Sequence, residues 1–359
     1  MVSFTVFKGQ ESGIAKKSQT TKPDQLTGDN VLIQITASGV CGTAWACCKL
    51  TLEKKGADMV LGHEGVGIVA AVGPEARYIK AGDRVGWGYE VNSCGHCIDC
   101  LEGAEPYCAK REIYGTANAD QGSFASHAIW SESFLHAIPE GISDEAAAPL
   151  VRPHRDLGAL QRSVATPTDN VLQQCGGATT YTALHGVKPS DTVGVIGVGG
   201  LGHLAIQFAA KMGCRVVVLS GSDSKRDEAL KLGAHEFIAT KGVKELKVST
   251  PINRLLVTTA AQPNWEQVLP IMATRSTIYP LSVSFEPLKI PNMPVILQGI
   301  AVQGSLVAPR SLHRQMLEFA ALHKIAPIVE KFPMSEEGIK AAFDKLEEGD
   351  VHFRAVLVN

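Results

Sequence analysis

The sequence predicts an α/β chain of two domains, one rich in β-strands and one built on a doubly wound parallel sheet. Three observations predict it. Residues 1 to about 150 read as strands and turns, and from about Thr180 short β-branched runs alternate with helical periodicity. Between Val193 and Gly202 an apolar strand turns directly into a helix through Gly197, Gly199 and Gly202, spaced G-x-G-x-x-G.

In the first region Asn30–Ala37 alternates through Val31, Ile33 and Ile35, while Gly62–Gly73 and Gly82–Gly88 are glycine-punctuated β segments. The second region offers six strands for one sheet: Val193–Ile196, Arg215–Leu219, Phe237–Ala239, Leu255–Thr259, Ser276–Leu281 and Ile300–Leu306. Leu312–His323 and Ser335–Glu348 read as helices and Phe353–Val358 as a closing strand, pieces that return to the first domain. The expected boundaries are 1–175, 176–308 for the nucleotide domain, and 309–359 for the returning segment.

The helix after the glycines, Leu201–Met212, repeats Leu201, Leu204, Ala205, Phe208 and Ala209, with Gly213 at its expected stop. One glycine makes the tight turn, one admits a pyrophosphate against the backbone, and one lets helix lie close on strand. Unpaired N–H groups and partial positive charge at the helix start suit that pyrophosphate. Gly197, Gly199, Gly200, Leu201 and Gly202 are therefore candidate dinucleotide contacts.

Composition is ordinary for a globular chain of 359 residues, 45% hydrophobic and 19% charged with net charge −2, which predicts neither a nucleic-acid footprint nor a membrane-surface patch. The most apolar stretch is interrupted by glycines, His203 and Gln207, so no membrane span is expected. Polar residues from Lys8 onward leave no secretory core, and nine cysteines then read as reduced thiols and metal ligands in a cytoplasmic protein.

Cys94, Cys97, Cys100 and Cys108 follow C-x2-C-x2-C-x7-C, with Gly95 and Gly103 helping a short lobe fold back. Four thiolates fill a tetrahedral zinc shell and leave no place for water, which makes the site structural. An iron–sulfur cluster is the lesser alternative. A second constellation is dispersed: Cys41 in Cys-Gly-Thr, His63 and Glu64 in Gly-His-Glu, and Cys175 in Cys-Gly-Gly. Spacing alone does not join these, and each taken singly reads as a buried thiol or a core imidazole.

Read together, Cys41-Gly42-Thr43, Gly62-His63-Glu64-Gly65, Gly82-Asp83-Arg84-Val85, the four-cysteine lobe, Gly197–Gly202 and the ending Val351-His-Phe-Arg-Ala-Val-Leu resemble the zinc-dependent medium-chain alcohol dehydrogenases. Within them the chain is similar to the cinnamyl-alcohol-dehydrogenase-like, NADP(H)-using aldehyde reductases. The resemblance implies a GroES-like catalytic domain, a Rossmann domain inserted into it, a homodimer, and a small aldehyde or alcohol substrate. It also implies a catalytic zinc on Cys41, His63 and Cys175, with Glu64 beside it as an outer partner or transient ligand and the fourth position open. Thr43 would hydrogen-bond the substrate oxygen. Zinc would polarise the carbonyl that receives hydride from C4 of NADPH.

Two departures stand out. Where the family continues after Cys-Gly-Thr with Asp and then often His, this chain has Ala44 and Ala46. A lost imidazole-orienting carboxylate typically lowers metal affinity or activity about 10- to 100-fold, and the lost relay histidine leaves water to carry the proton from Thr43. The segment 151–174 is an atypical insertion directly before Cys175. Asp156, Leu157, Leu160 and Val164 allow a weak helix there, and the codons possible at Val151, Thr168-Asp169 and Gln174 permit splice signals, so a retained intron is one explanation that transcript sequencing decides.

At the end of the second Rossmann strand an NAD site wants a carboxylate for the ribose 2′-OH. This chain offers Ser220 and Ser222, then Lys225 and Arg226, a set that suits a 2′-phosphate and predicts NADP(H). The alternative is that Asp223 to Arg226 only cap and solvate the next helix. Trp87 and Tyr89 are either pocket or core, His96 reads as an exposed loop residue, and His127, His136 and His203 as satisfied core or surface positions. Cys47 and Cys48 read as stray thiols. Two rival functions remain at this point: an NADPH-binding protein with little catalysis, favoured by Ala44, Ala46 and the insertion, and a zinc-independent quinone or enoyl reductase.

Overall fold

Strand formation begins at once, with β1 (Val2–Gly9) paired antiparallel to β2 (Ala15–Lys22). The computed structural model describes residues 1–10, 14–40, 59–151, 176–282, 284 and 286–359. Cys41, Thr43, Ala44, Ala46, Cys47, Cys48 and Cys175, and the insertion from residue 152 to 174, lie outside the described residues. Met1–Val171 with Leu306–Asn359 forms one unit and Leu172–Ser305 the other.

The first unit is organised on β3 (Asn30–Val40), whose alternation buries Val31, Ile33, Ile35 and Ala37 on one face. Each such side chain contributes roughly 1.5–3 kcal/mol when removed from water, Ala37 less. β4 (Gly65–Val72), β5 (Arg84–Trp87), β6 (Glu90–Asn92), the one-turn helix α1 (Ile98–Leu101), β7 (Glu112–Ile113), β8 (His127–Ser131), β9 (His136–Ala137) and α2 (Asp144–Ala147) follow. β4 and β8 each pair antiparallel with β3, and β5 continues from β4 to β9. Trp87 and Trp130 meet in the core so formed, ring centroids 5.6 Å apart.

The second unit runs α3 (Gly177–Leu184), β10 (Thr192–Ile196), α4 (Gly202–Lys211), β11 (Arg215–Ser220), α5 (Arg226–Lys231), β12 (Glu236–Ala239), β13 (Ile252–Val257), α6 (Trp265–Val268), β14 (Met272–Pro280), α7 (Asn292–Gln298) and β15 (Ala301–Val302). Its strands lie in the order β12-β11-β10-β13-β14-β15, every pair parallel. This is the strand order of a dinucleotide-binding Rossmann sheet, with the reversal of direction between β10 and β13. The six predicted strands are all present. β13 starts three residues before its expected position because Arg254, polar in sequence, spends its charge on the carbonyls of Ala183 (2.8 Å) and His185 (2.9 Å) while Ile252 is buried. β15 is shorter than predicted; after Gln303, which still donates to the Ile278 carbonyl (2.9 Å), Gly304 and the left-handed Val307 (φ 55°) end the ladder.

The chain then returns to the first unit with α8 (Arg310–His323), β16 (Val329–Pro333), α9 (Glu336–Glu348) and β17 (Arg354–Val358). α9 forms because Ser335 accepts the Gly338 N–H at 3.1 Å, Glu336 and Glu337 face the positive end, and Gly349 (φ 72°) closes the other. Its Ile339, Ala342 and Phe343 are the buried face. β17 pairs antiparallel with β3 and parallel with β16, completing a seven-stranded sheet. Among the described residues no helix is long and apolar enough to cross a membrane.

Candidate functional site

The glycine turn is built as its spacing requires. Gly197 has φ 93°, a conformation side chains rarely adopt, and a Cβ on Gly202 would lie 2.0 Å from the Gly197 carbonyl oxygen. Strand and helix therefore touch backbone to backbone. Thr258 secures the turn from the neighbouring strand end, its Oγ1 donating to the Ile196 carbonyl at 2.8 Å. His203, at the start of α4, is fully buried with its Nδ1 2.9 Å from the Gly199 carbonyl.

The four residues expected to meet a 2′-phosphate lie at and just beyond the end of β11. Ser220 ends the strand, Ser222 is exposed with its Oγ 2.9 Å from that of Ser224, and Lys225 reaches back to donate to the Val198 carbonyl at 2.9 Å. Lys225 thus leans on the glycine turn itself, and partial burial holds its pKa below the ordinary lysine value. Arg226 is directed elsewhere. Its guanidinium pairs with Asp223, donates to the Phe237 carbonyl (2.9 Å) and lies 4.8 Å from the Phe237 ring centroid.

In the first unit, His63 and Glu64 are both buried, at 1% and 0% exposure. Glu64 accepts from Arg354 Nη2 on both carboxylate oxygens, each at 2.9 Å, and its N–H donates to Ser123 Oγ at 3.1 Å. A Cβ on Gly39 would lie 1.6 Å from Glu64 Oε2, so only glycine leaves room for this carboxylate. Arg354 belongs to the ending motif, which by itself gives it no role; its partner is 290 residues away and only the closing strand brings them together. Removing one member of such a buried pair commonly costs about 3–5 kcal/mol. The His63 ring lies 4.7 Å from that of Tyr114 and 5.7 Å from that of Tyr89. Tyr89 is therefore a neighbour of the candidate ligand, whereas Trp87 packs in the core on Trp130. Tyr114 carries no motif, and nothing in its spacing could have announced this contact.

The four-cysteine lobe converges as predicted. All four sulfurs lie within 4.8 Å of one another, with Cys97–Cys100 and Cys108–Cys94 at 3.5 Å and Cys94–Cys100 at 3.9 Å. Zinc with four sulfurs at about 2.3 Å has tetrahedron edges near 3.8 Å, so the cage fits that ion. The Cys97 and Lys110 amides point at the Cys94 and Cys108 sulfurs, both at 3.4 Å. The His96 and Cys97 amides hold the Cys94 thiol down at about 6. His96 is exposed, with Nδ1 2.5 Å from the Cys94 carbonyl, outside the cage. Among the described residues this is the group of three or more ligand side chains that gathers around one point.

Two family models match the chain: an alcohol dehydrogenase GroES-like domain over residues 27–140 and a zinc-binding dehydrogenase over 200–321. Cinnamyl alcohol dehydrogenase 8 of Arabidopsis thaliana is 30% identical over 99% of this chain and 94% of its own length. A solved cinnamyl alcohol dehydrogenase from Sorghum bicolor superposes with a TM-score of 0.85 at 28% identity, covering 99% of this chain and 98% of that one. The enzyme CAD from Helicobacter pylori, solved in complex with NADP(H), has the same fold, with a TM-score of 0.82 at 24% identity over 99% of this chain and 98% of its own.

Proposed function

Because the chain belongs to the zinc-dependent medium-chain alcohol dehydrogenases, and resembles their cinnamyl-alcohol-dehydrogenase-like members, we propose that it is an NADP(H)-dependent aldehyde reductase. The observation that carries the cofactor choice is the end of β11, where Ser220 and Ser222 stand in place of a ribose-binding carboxylate and Lys225 rests on the glycine turn. The Helicobacter enzyme's NADP(H) supports the same reading.

When bound, zinc supplies a Lewis acid and NADPH a hydride. The chain's own part is to hold ligands and move a proton. His63, with Cys41 and Cys175, is the proposed ligand set, and Glu64 is held beside it by the two hydrogen bonds from Arg354. Thr43 orients the substrate oxygen and hands on the proton, with water beyond it because Ala46 offers no imidazole. Reduction of a small aldehyde is the proposed direction and the cytoplasm the proposed compartment. The open edge at β15 and the exposed Met293, Ile296 and Leu297 of α7 (59%, 61% and 76% exposed) form the proposed homodimer face.

Zinc content measured together with NADPH consumption on aldehydes and activated alkenes tests this. Two zincs per chain with aldehyde turnover are expected. One zinc with tight NADPH and no turnover would identify a catalytically impaired NADPH-binding protein, the reading that Ala44, Ala46 and the insertion favour. Alkene turnover would replace the assignment altogether. For the cofactor, Lys225→Ala is expected to weaken NADPH about 10- to 100-fold, the worth of one charged hydrogen bond, and to leave NADH within about threefold. Equal losses for both nucleotides in fluorescence titration would remove the 2′-phosphate role.

A further inference from the structure

One short hairpin joins the four-cysteine lobe to the surroundings of His63. β6 and β7 pair antiparallel, Glu90 opposite Ile113 and Asn92 opposite Glu112, and the loop they close carries all four cysteines. The ladder continues one residue further from the loop, where the Tyr114 N–H donates to the Tyr89 carbonyl at 2.8 Å. Those two residues are the ones whose rings lie on His63, one tilted at 32° and one edge-on at 69°. Tyr114 is also tied to the segment that bears His63, its hydroxyl donating to the Val60 carbonyl at 2.6 Å. All three rings are buried to within 1% exposure.

A ladder of three and two residues is marginal alone, and its stability depends on how tightly its loop is closed. A metal on Cys94 and Cys108 closes that loop across 14 residues, as a crosslink would. The outer part of the lobe has anchors of its own: Glu105 receives Arg310 Nε at 2.9 Å, and the Tyr107 hydroxyl accepts the Leu306 N–H at 3.1 Å. The inner turn, Cys94–Cys100, is held chiefly by its sulfurs and the amides aimed at them.

We propose that metal in the lobe sets the orientation of His63: the closed β6–β7 stem holds Tyr89 and Tyr114 as a clamp on the imidazole, so the two metal centres are coupled through this hairpin. The proposal rests on the reading of His63 as a zinc ligand for its functional consequence, though not for the mechanical coupling itself. Tyr89 and Tyr114 are positioning residues. They take the place, through ring contact, of an orienting carboxylate that Ala44 cannot supply.

Hydrogen exchange on the full chain tests the coupling directly. In Cys97→Ser/Cys100→Ser, amide protection is expected to fall in the peptides covering 59–64 and 112–115 while that of β3 and β17, in the same unit, stays unchanged, which also shows that this unit is folded. Zinc competition with a chromophoric chelator is expected to find the remaining metal bound about 10- to 100-fold more weakly. Tyr114→Leu in an intact lobe should reproduce the weaker binding, and Tyr114→Phe, which keeps the ring, should recover most of it. Unchanged protection around 59–64 in the lobe variant overturns the coupling. Should His63→Ala bind as much zinc as the unaltered chain, the ligand reading fails instead, and the exchange result still decides the mechanical link.

Discussion

Alanine at Gly202 is expected to abolish tight NADPH binding and to lower stability by about 1–3 kcal/mol, the usual cost of forcing extra volume into a close contact. The added carbon would meet the Gly197 carbonyl oxygen at 2.0 Å and Thr258 Oγ1 at 3.1 Å. The carbonyl belongs to the turn itself and cannot rotate away as a side chain would. Helix α4 must then move off β10, carrying its first amides away from the position a pyrophosphate needs. Calorimetric titration with NADPH, beside a urea unfolding curve, measures both effects. Binding within tenfold of the unaltered chain would show that this contact does not shape the nucleotide site.

The second large effect is expected in acid. His136 on β9 and His313 on α8 stack face to face, centroids 3.9 Å apart, at 4% and 1% exposure. His136 Nδ1 and His313 Nε2 have no hydrogen-bond partner among the described residues. Burial, then His313, Arg314 and Arg310, hold His136 well below the ordinary histidine value. Burial and Arg314 push His313 down to about 3. In the unfolded chain both protonate near 6.5. Below that pH the unfolded state binds protons that the folded state refuses, so stability present above pH 6.5 drains away as pH falls toward about 3. Two such groups give a slope of about 2–3 kcal/mol per pH unit. His136→Leu/His313→Leu is expected to flatten the decline in unfolding midpoint between pH 6.5 and 5. A double variant as acid-sensitive as the parent would place the sensitivity elsewhere.

Much of this molecule was legible because its signals are local. The glycine spacing, the apolar run before it and the periodicity after it lie within twenty residues and predicted β10, the turn and α4. The cysteine cage was legible for the same reason, four ligands on one loop. His136 and His313 were not, since a histidine without nearby ligands looks the same whether it is solvated or stacked on a partner far along the chain. Arg354 was visible as part of a motif, but its charge could not be matched to Glu64 until β17 paired with β3. Tyr114 was invisible for a different reason: a single aromatic between two short strands has no period to betray which face it serves. Arg226 illustrates the reverse, a residue whose sequence position promised a phosphate and whose side chain is committed to Asp223 and Phe237.

The pairing of Val356 with Gly39 also sets an order of events during synthesis. The Leu172–Ser305 unit is continuous and has all its strands as soon as it leaves the ribosome. The sheet around β3 lacks β17 until translation has passed residue 358, so until then the Glu64 carboxylate is made without its guanidinium and the sheet keeps an open edge beside β3. A nascent chain stalled in its last few dozen codons would therefore present a finished nucleotide fold attached to an unsealed one, the species a chaperone should recognise.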